Sequence, residues 1–330
     1  MGLARATAVG LALAGAPLGA GGQAAAPRLA FPLDCKIGVS CEIQSYMDRD
    51  PGPGVRDYRC GRRTYEGHGG VDIRIPDMAA QRAGVAVLAA AAGTVTRLRD
   101  GVMDISIRAP GAPSTKDAEC GNGVVIDHGG GWETQYCHLA RGSVKVKVGD
   151  QVVAGQPIAR VGLSGQTEFP HLHLTVRKGA EKVDPFAPAA DAGAGCKAQA
   201  GLWTPAAAKA MSYKASAALN AGFAAAPVTM EAVEAGGIAV PNAAAPFLVA
   251  YVRAIGLQRG DVIELTVTAP GGAVLVTRRE APLTSDKAQQ FLMIGKKRPA
   301  AGWAKGSYRA AFRLHRGGAV AFSKTFELAL

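Results

Sequence analysis

"YEGHGGVDIRIP", Tyr65 to Pro76, sets His68 and Asp72 four residues apart, with two glycines and a valine between them. A helix would bring residues i and i+4 onto one face, but Gly69 and Gly70 disfavour a helix. The β-branched residues that follow favour a strand, and an even spacing on an extended chain also turns both side chains to one side. The stretch predicts an imidazole and a carboxylate facing one spot.

Two further stretches carry histidines. In "FPHLHLTVRKG", Phe169 to Gly179, a strand points His171 and His173 to one face and Leu172 and Leu174 to the other. Two adjacent imidazoles on a buried strand are costly unless something uses them. "TQYCHLARG" ends another predicted strand at His138. Two histidines and a carboxylate suit a catalytic zinc whose fourth position is open to water.

Around these motifs, from Gly67 to Pro188, short β-branched runs alternate with glycine turns and no long amphipathic helix is written. "VMDISIR" and "GSVKVKVGDQVVAGQPIARVG" read as strands and hairpins like the rest. The fold expected is all-β and mostly antiparallel. Residues 189–226 read as a linker, in which "TPAAAKAMSYKASAALNAGF" fits either a helix or an irregular connector. From 227 to 330, strand-like runs recur with turn residues between them, as in a small immunoglobulin-like β-sandwich. That region has one histidine, His315, expected on a surface turn, and reads as a passive or a binding module, the latter with room for a regulatory protein.

The N-terminus has Arg5, an apolar run and then small residues, the layout of a secretory signal peptide over 1–26. A Cys-containing extension, 27–66, follows it. No segment reaches the roughly 18 apolar residues of a membrane span. The six cysteines form no CxxC pair, which fits disulfides and an oxidising compartment such as the periplasm, with buried thiols as the alternative. Cys120 and Cys137 bracket a predicted hairpin and are expected to pair; the partners of Cys35, Cys41, Cys60 and Cys196 stay open. A net charge of +11 favours anionic surroundings, but no aromatic-interleaved basic motif points to nucleic acid.

Taken in order, "HGGVD", "GVVIDHGGGWETQYCHL", "VKVGDQVVAGQPIARVGLSG" and "HLHL" resemble the lysostaphin-like (LytM-type) zinc metallopeptidases of peptidase family M23, over about residues 67–188. The resemblance implies an M23-type antiparallel β-sheet peptidase domain with Zn²⁺ on His68, Asp72 and His173. It further implies His171 as general base and His138 as the second catalytic histidine. The implied activity is hydrolysis of peptidoglycan stem peptides or cross-bridges by an exported, periplasmic endopeptidase. The alternative is a latent or non-catalytic LytM-like module that activates another cell-wall hydrolase, with residues 35–66 as a candidate plug.

The chain departs from the family pattern in two places. "PDMAAQRAGVAVL" is longer than the usual turn after the Asp strand and is expected to alter a groove wall. Cys137 stands where a small residue is common, and a disulfide there would lock the strand that carries His138. His128 reads as a structural turn residue, and Tyr58 and Tyr65 as packed tyrosines. The likeness of "VKVGDQVVAGQPIARV" to biotin- or lipoyl-carrier sheets fails for want of a lysine at a tight turn.

Overall fold

The computed structural model describes residues 1–2, 25–188, 196 and 200–330. The expected signal peptide therefore lies almost wholly outside the described residues, as does much of 189–199.

The larger sheet is built from β1 (Glu42–Ser45), β2 (Val71–Arg74), β4 (Gly93–Arg99), β5 (Asn122–Asp127), β6 (Trp132–Leu139), β7 (Gln151–Val152), β9 (His171–Lys178) and β10 (Glu181–Val183). Its order is β1-β2-β9-β6-β5-β4-β7, with β10 beside β9, and the strand pairs are antiparallel. A short pair, β3 (Ala86–Leu88) with β8 (Pro157–Arg160), lies apart from it. Alternation divides the sheet's faces: Val71, Ile73, Leu172, Leu174 and Tyr136 turn into a core shared with Val87, Ile158 and Val161. The opposite face of the same strands carries Asp72, Arg74, His171 and His173.

Two runs expected as strands are loops instead. Val102–Arg108 forms only an isolated bridge, Asp104 to Ser164, and 143–150 carries no strand. Asp104 shows the reason, since its carboxylate accepts from the backbone N–H groups of Leu163 and Arg141 and so ties loops together. Alternation of side chains alone does not supply a neighbouring strand.

The N-terminal extension packs into this core through Leu29, Leu33, Ile43 and Tyr46. It is tied by Cys35–Cys41, and Cys60 is joined to Cys196. The stretch expected as a linker carries structure of its own. Leu202, Trp203 and Met211, around α2 (Pro205–Ala210), enter the first core, and β11 (Ala217–Ala224) joins the C-terminal strands.

Two antiparallel sheets make up the C-terminal region. One is β11, β12 (Phe247–Leu257) and β15 (Lys287–Lys297); the other is β14 (Val274–Arg279), β13 (Val262–Thr268), β16 (Ser307–Arg316) and β17 (Ala319–Ala329). Leu248, Val252, Leu265, Val267, Leu292 and Phe312 from both sheets share one core. Strand β13 is buried at every second residue, the pattern of a strand with one apolar face.

The lengthened turn after β2 forms α1 (Met78–Ala83), capped by Asp77, and packs on α3 (Met230–Ala235). Arg82 donates to the Ala235 carbonyl at 3.0 Å, and Asn220 to the Pro76 carbonyl at 3.0 Å. The insertion serves as a dock for the C-terminal region and does not itself line the groove described next.

Candidate active site

Strand register assembles the site. On the adjacent strands β2, β9 and β6, Asp72 stands opposite His173, Cys137 opposite His173, and Arg74 opposite His171. His68 arrives differently from the sequence expectation: the chain is extended only from Val71, and His68 sits on the turn before it. Its backbone N–H donates to Tyr65, and its carbonyl accepts from Asp48. Gly70 lets this turn close, because a Cβ there would lie 2.5 Å from the Leu174 carbonyl oxygen and 2.7 Å from the His173 ring.

His68 Nε2 lies 3.1 Å from Asp72 Oδ1, His173 Nδ1 lies 2.8 Å from the same oxygen, and the two nitrogens are 3.2 Å apart. The outer nitrogens are both engaged. His68 Nδ1–H donates to the Tyr46 carbonyl at 2.6 Å, which leaves Nε2 as a lone pair. His173 Nε2 is 3.0 Å from the Thr175 hydroxyl; donation there leaves Nδ1 as a lone pair too.

The remaining pair adjoins this cluster. His138 closes β6 with φ +61, a left-handed conformation that a non-glycine residue adopts only when its surroundings hold it. They do: its N–H donates to Cys120, its carbonyl accepts from Gly162, and the expected Cys120–Cys137 disulfide adjoins it. His138 Nδ1–H donates to the Ser164 carbonyl at 2.8 Å. His171 Nδ1 is 3.0 Å from the Phe169 carbonyl and 3.1 Å from the Thr167 hydroxyl, while Nε2 is 3.4 Å from Asp72. The His138 and His171 ring centres are 4.6 Å apart.

Electrostatics differentiate these groups. Burial opposes charge on Asp72, but His68, His171 and His173 outweigh it and hold the carboxyl well below its usual range. Burial also disfavours the His68 cation, yet Asp72 overrides it and raises that imidazole. Burial dominates at His138 and His173 and lowers both, so both favour the neutral form.

A groove of about 830 Å³ runs over these residues, with Tyr65, Ile107, Phe169 and Arg177 on its lining. Met230 of α3 and Gln289 of β15 line it as well, so the C-terminal region forms part of its wall. Strand β1 pairs along the outer edge of β2, and its Gln44 and Ser45 line this groove.

The other candidates sit elsewhere. His128 is held between the Ala92 carbonyl and the Thr134 hydroxyl, both at 2.8 Å, as a hairpin latch. His315 lies within β16, not on a turn. Tyr58 packs among Tyr46, Phe186 and Tyr213, while Tyr65 is exposed against His68 with ring centres 4.4 Å apart. Sequence reasoning missed the orienting groups. Thr175 was within reach, two residues beyond His173 on the same face, but the Tyr46 and Ser164 carbonyls carry no residue-type signal at all.

Among known proteins, the model of "Peptidase family M23" matches residues 66–185. A cell division protein, DipM, of Caulobacter vibrioides is 37% identical over 100 residues, 24% of this chain and 16% of that protein. The peptidoglycan DD-endopeptidase ShyB of Vibrio cholerae is 41% identical over 61 residues, 18% of this chain and 14% of that protein. The matches thus span less than a fifth of either relative's own length. A solved zinc-containing peptidase from Vibrio cholerae is 26% identical with a TM-score of 0.32, covering 47% of this chain and 37% of that one. No helix among the described residues is long and apolar enough to cross a membrane.

Proposed function

We propose, from the match of residues 66–185 to the model of peptidase family M23, that the chain is an exported zinc-dependent endopeptidase that hydrolyses peptide cross-links of peptidoglycan. One observation carries the reading: two imidazole lone pairs and a carboxylate oxygen, from buried His68 and Asp72 and half-buried His173, converge on one point beside a second pair of histidines. Three lone pairs within about 3 Å of one another repel unless a positive centre sits among them.

The donor set fits zinc. His68, Asp72 and His173 would hold it, with Tyr46 and Thr175 fixing the two rings from behind. The chemistry that zinc supplies in such a site is Lewis-acid polarisation of a carbonyl and acidification of water. His171, anchored through Nδ1, presents Nε2 to the groove as the general base. His138, anchored on Ser164 and kept neutral by burial, offers its own Nε2 to hold the attacking water or to stabilise the tetrahedral centre. The Cys120–Cys137 bond and the flanking backbone hydrogen bonds keep that ring from swinging out of the groove.

The peptidoglycan substrate rests on the relatives named as peptidoglycan DD-endopeptidases. Three disulfides and a net charge of +11 support a periplasmic location in an anionic envelope. In this reading 67–188 is the peptidase unit and the sandwich, expected over 227–330, begins earlier with β11 at Ala217; it offers a face to a regulatory protein. Purified sacculi incubated with the mature protein, followed by mass spectrometry of released fragments, test the proposal. Un-cross-linked peptides should appear with the wild type and vanish with His173→Ala. Stoichiometric zinc without any release would instead favour the latent or activator module.

A further inference from the structure

Arg74 lies on the groove face of β2, opposite His171, and is fully buried. Its guanidinium stacks on the Phe169 ring, 3.6 Å from the ring centre. It shares the Glu234 carboxylate with Arg253, and Arg253 also donates to the Pro76 carbonyl. One carboxylate thus serves two guanidiniums, leaving this buried cluster with a charge of about +1, its sign opposite to that of a peptide carboxylate. The nearby Glu168 is taken up by Arg108 at 2.7 Å.

A guanidinium donates and cannot accept. Gln44 and Gln289 must therefore turn their amide oxygens to Arg74 Nη1, at 3.2 and 3.0 Å. The Gln44 amide nitrogen is then used by the Ala288 carbonyl at 3.1 Å. The Gln289 amide nitrogen has no hydrogen-bond partner among the described residues, and Gln289 lines the groove. A donor backed by net positive charge is thus fixed on the wall beside His171.

We infer that Gln289 of the C-terminal region binds a carboxylate of the substrate peptide through its side-chain N–H, with Arg74 as the positioning residue that holds it there. The inference rests on the proposed peptidase reading and adds a selection: anionic peptides over their amidated counterparts. It also gives the docked C-terminal region a part in recognition, through the wall that α1, α3 and Glu234 hold in place.

Binding is measured with the full-length chain carrying His171→Ala, so that the probe survives. The probes are a soluble cross-linked muropeptide dimer and the same dimer with its carboxylates converted to amides. The parent should bind the native dimer about five- to tenfold more tightly than the amidated one, the worth of one hydrogen bond. Gln289→Ala should abolish that preference. Gln289→Glu keeps an acceptor for Arg74 but has no N–H, so it should lose the preference as well. A purely structural role would leave Gln289→Glu binding like the parent, which overturns the inference. If the wild type cleaves sacculi while both Gln289 variants keep the preference, the wall reading falls and hydrolysis stands. If binding shows the Gln289 dependence but cleavage never occurs, hydrolysis falls and the wall stands. No binding by any form overturns the inference about Gln289, and release of fragments from sacculi then decides hydrolysis by itself.

Discussion

Strand β9 of the larger sheet and strand β13 of the C-terminal sheets treat polar residues in opposite ways. Strand β13 alternates in the ordinary manner, with Ile263, Leu265 and Val267 buried and the residues between them half-exposed. Strand β9 is buried on both faces over most of its length, and its polar face holds His171 and Thr175 beside Asp72 and Arg74 of β2. Burying such groups is costly unless each finds a partner. On β13 that cost is avoided; on β9 and β2 it is met by convergence, and the convergent groups are the ones with chemistry to offer. A buried polar face of this kind marks a site more reliably than any single motif residue.

The largest effect should come from removing a member of that face. His173→Ala is expected to lose bound zinc and to lower peptidoglycan hydrolysis by roughly 10³-fold or more, whereas His171→Ala should lose roughly 10²- to 10⁴-fold with zinc retained. Elemental analysis beside fragment release separates the two. A His171→Ala protein with full activity would reduce the second histidine pair to packing.

A smaller effect is expected where the two regions meet. Glu234→Gln leaves Arg74 and Arg253 close together without a neutralising charge, which should destabilise the fold by about 3 kcal/mol in chemical denaturation. An unchanged midpoint would mean that the docked arrangement does not depend on this ion cluster.

The smallest effect sharpens the contrast within the larger-sheet region, between two buried carboxyls. Asp72 is held ionised by histidines, whereas burial pushes Asp184 up to about 6, against the backbone N–H of Phe186 and an Arg49 nitrogen 4.0 Å away. An unfolded carboxyl titrates near 3.9, so below that pH both states are protonated and no cost arises. As pH rises through about 6 only the folded state resists ionisation, and stability should fall by about 2 kcal/mol. Unfolding midpoints at pH 4 and pH 7.5 should show that loss in the wild type but not in Asp184→Asn. Equal slopes would place the titration elsewhere.

How much of this was legible follows from the range over which each signal acts. Alternation is local, so the opposed faces of β9 and the strands of the C-terminal region could be read directly, as could the Cys120–Cys137 hairpin. Alternation without a partner strand misleads, as at Val102–Arg108, where Asp104 serves loop backbone instead. The five proposed site residues were legible through their motifs, but the manner in which His68 meets Asp72 was not, because a turn takes the place of the expected strand. The lengthened segment after β2 was visible as an insertion, yet its task as a dock depends on α3, about 150 residues later.

The sequence by itself determined the β-rich class, the chemical identities of the candidate ligands and bases, and the match of residues 66–185 to the model of peptidase family M23. These rest on residue type and short spacing, which the chain carries wherever it goes. Only the tertiary structure decided which nitrogen of His68 and of His138 faces the groove, because carbonyls of Tyr46 and Ser164, more than 20 residues away, make that choice. It alone joined Cys60 to Cys196 and brought Gln289 to Arg74. Backbone carbonyls are the same at every residue and long-range pairs leave no periodic trace, so both are set by the packing of the whole chain.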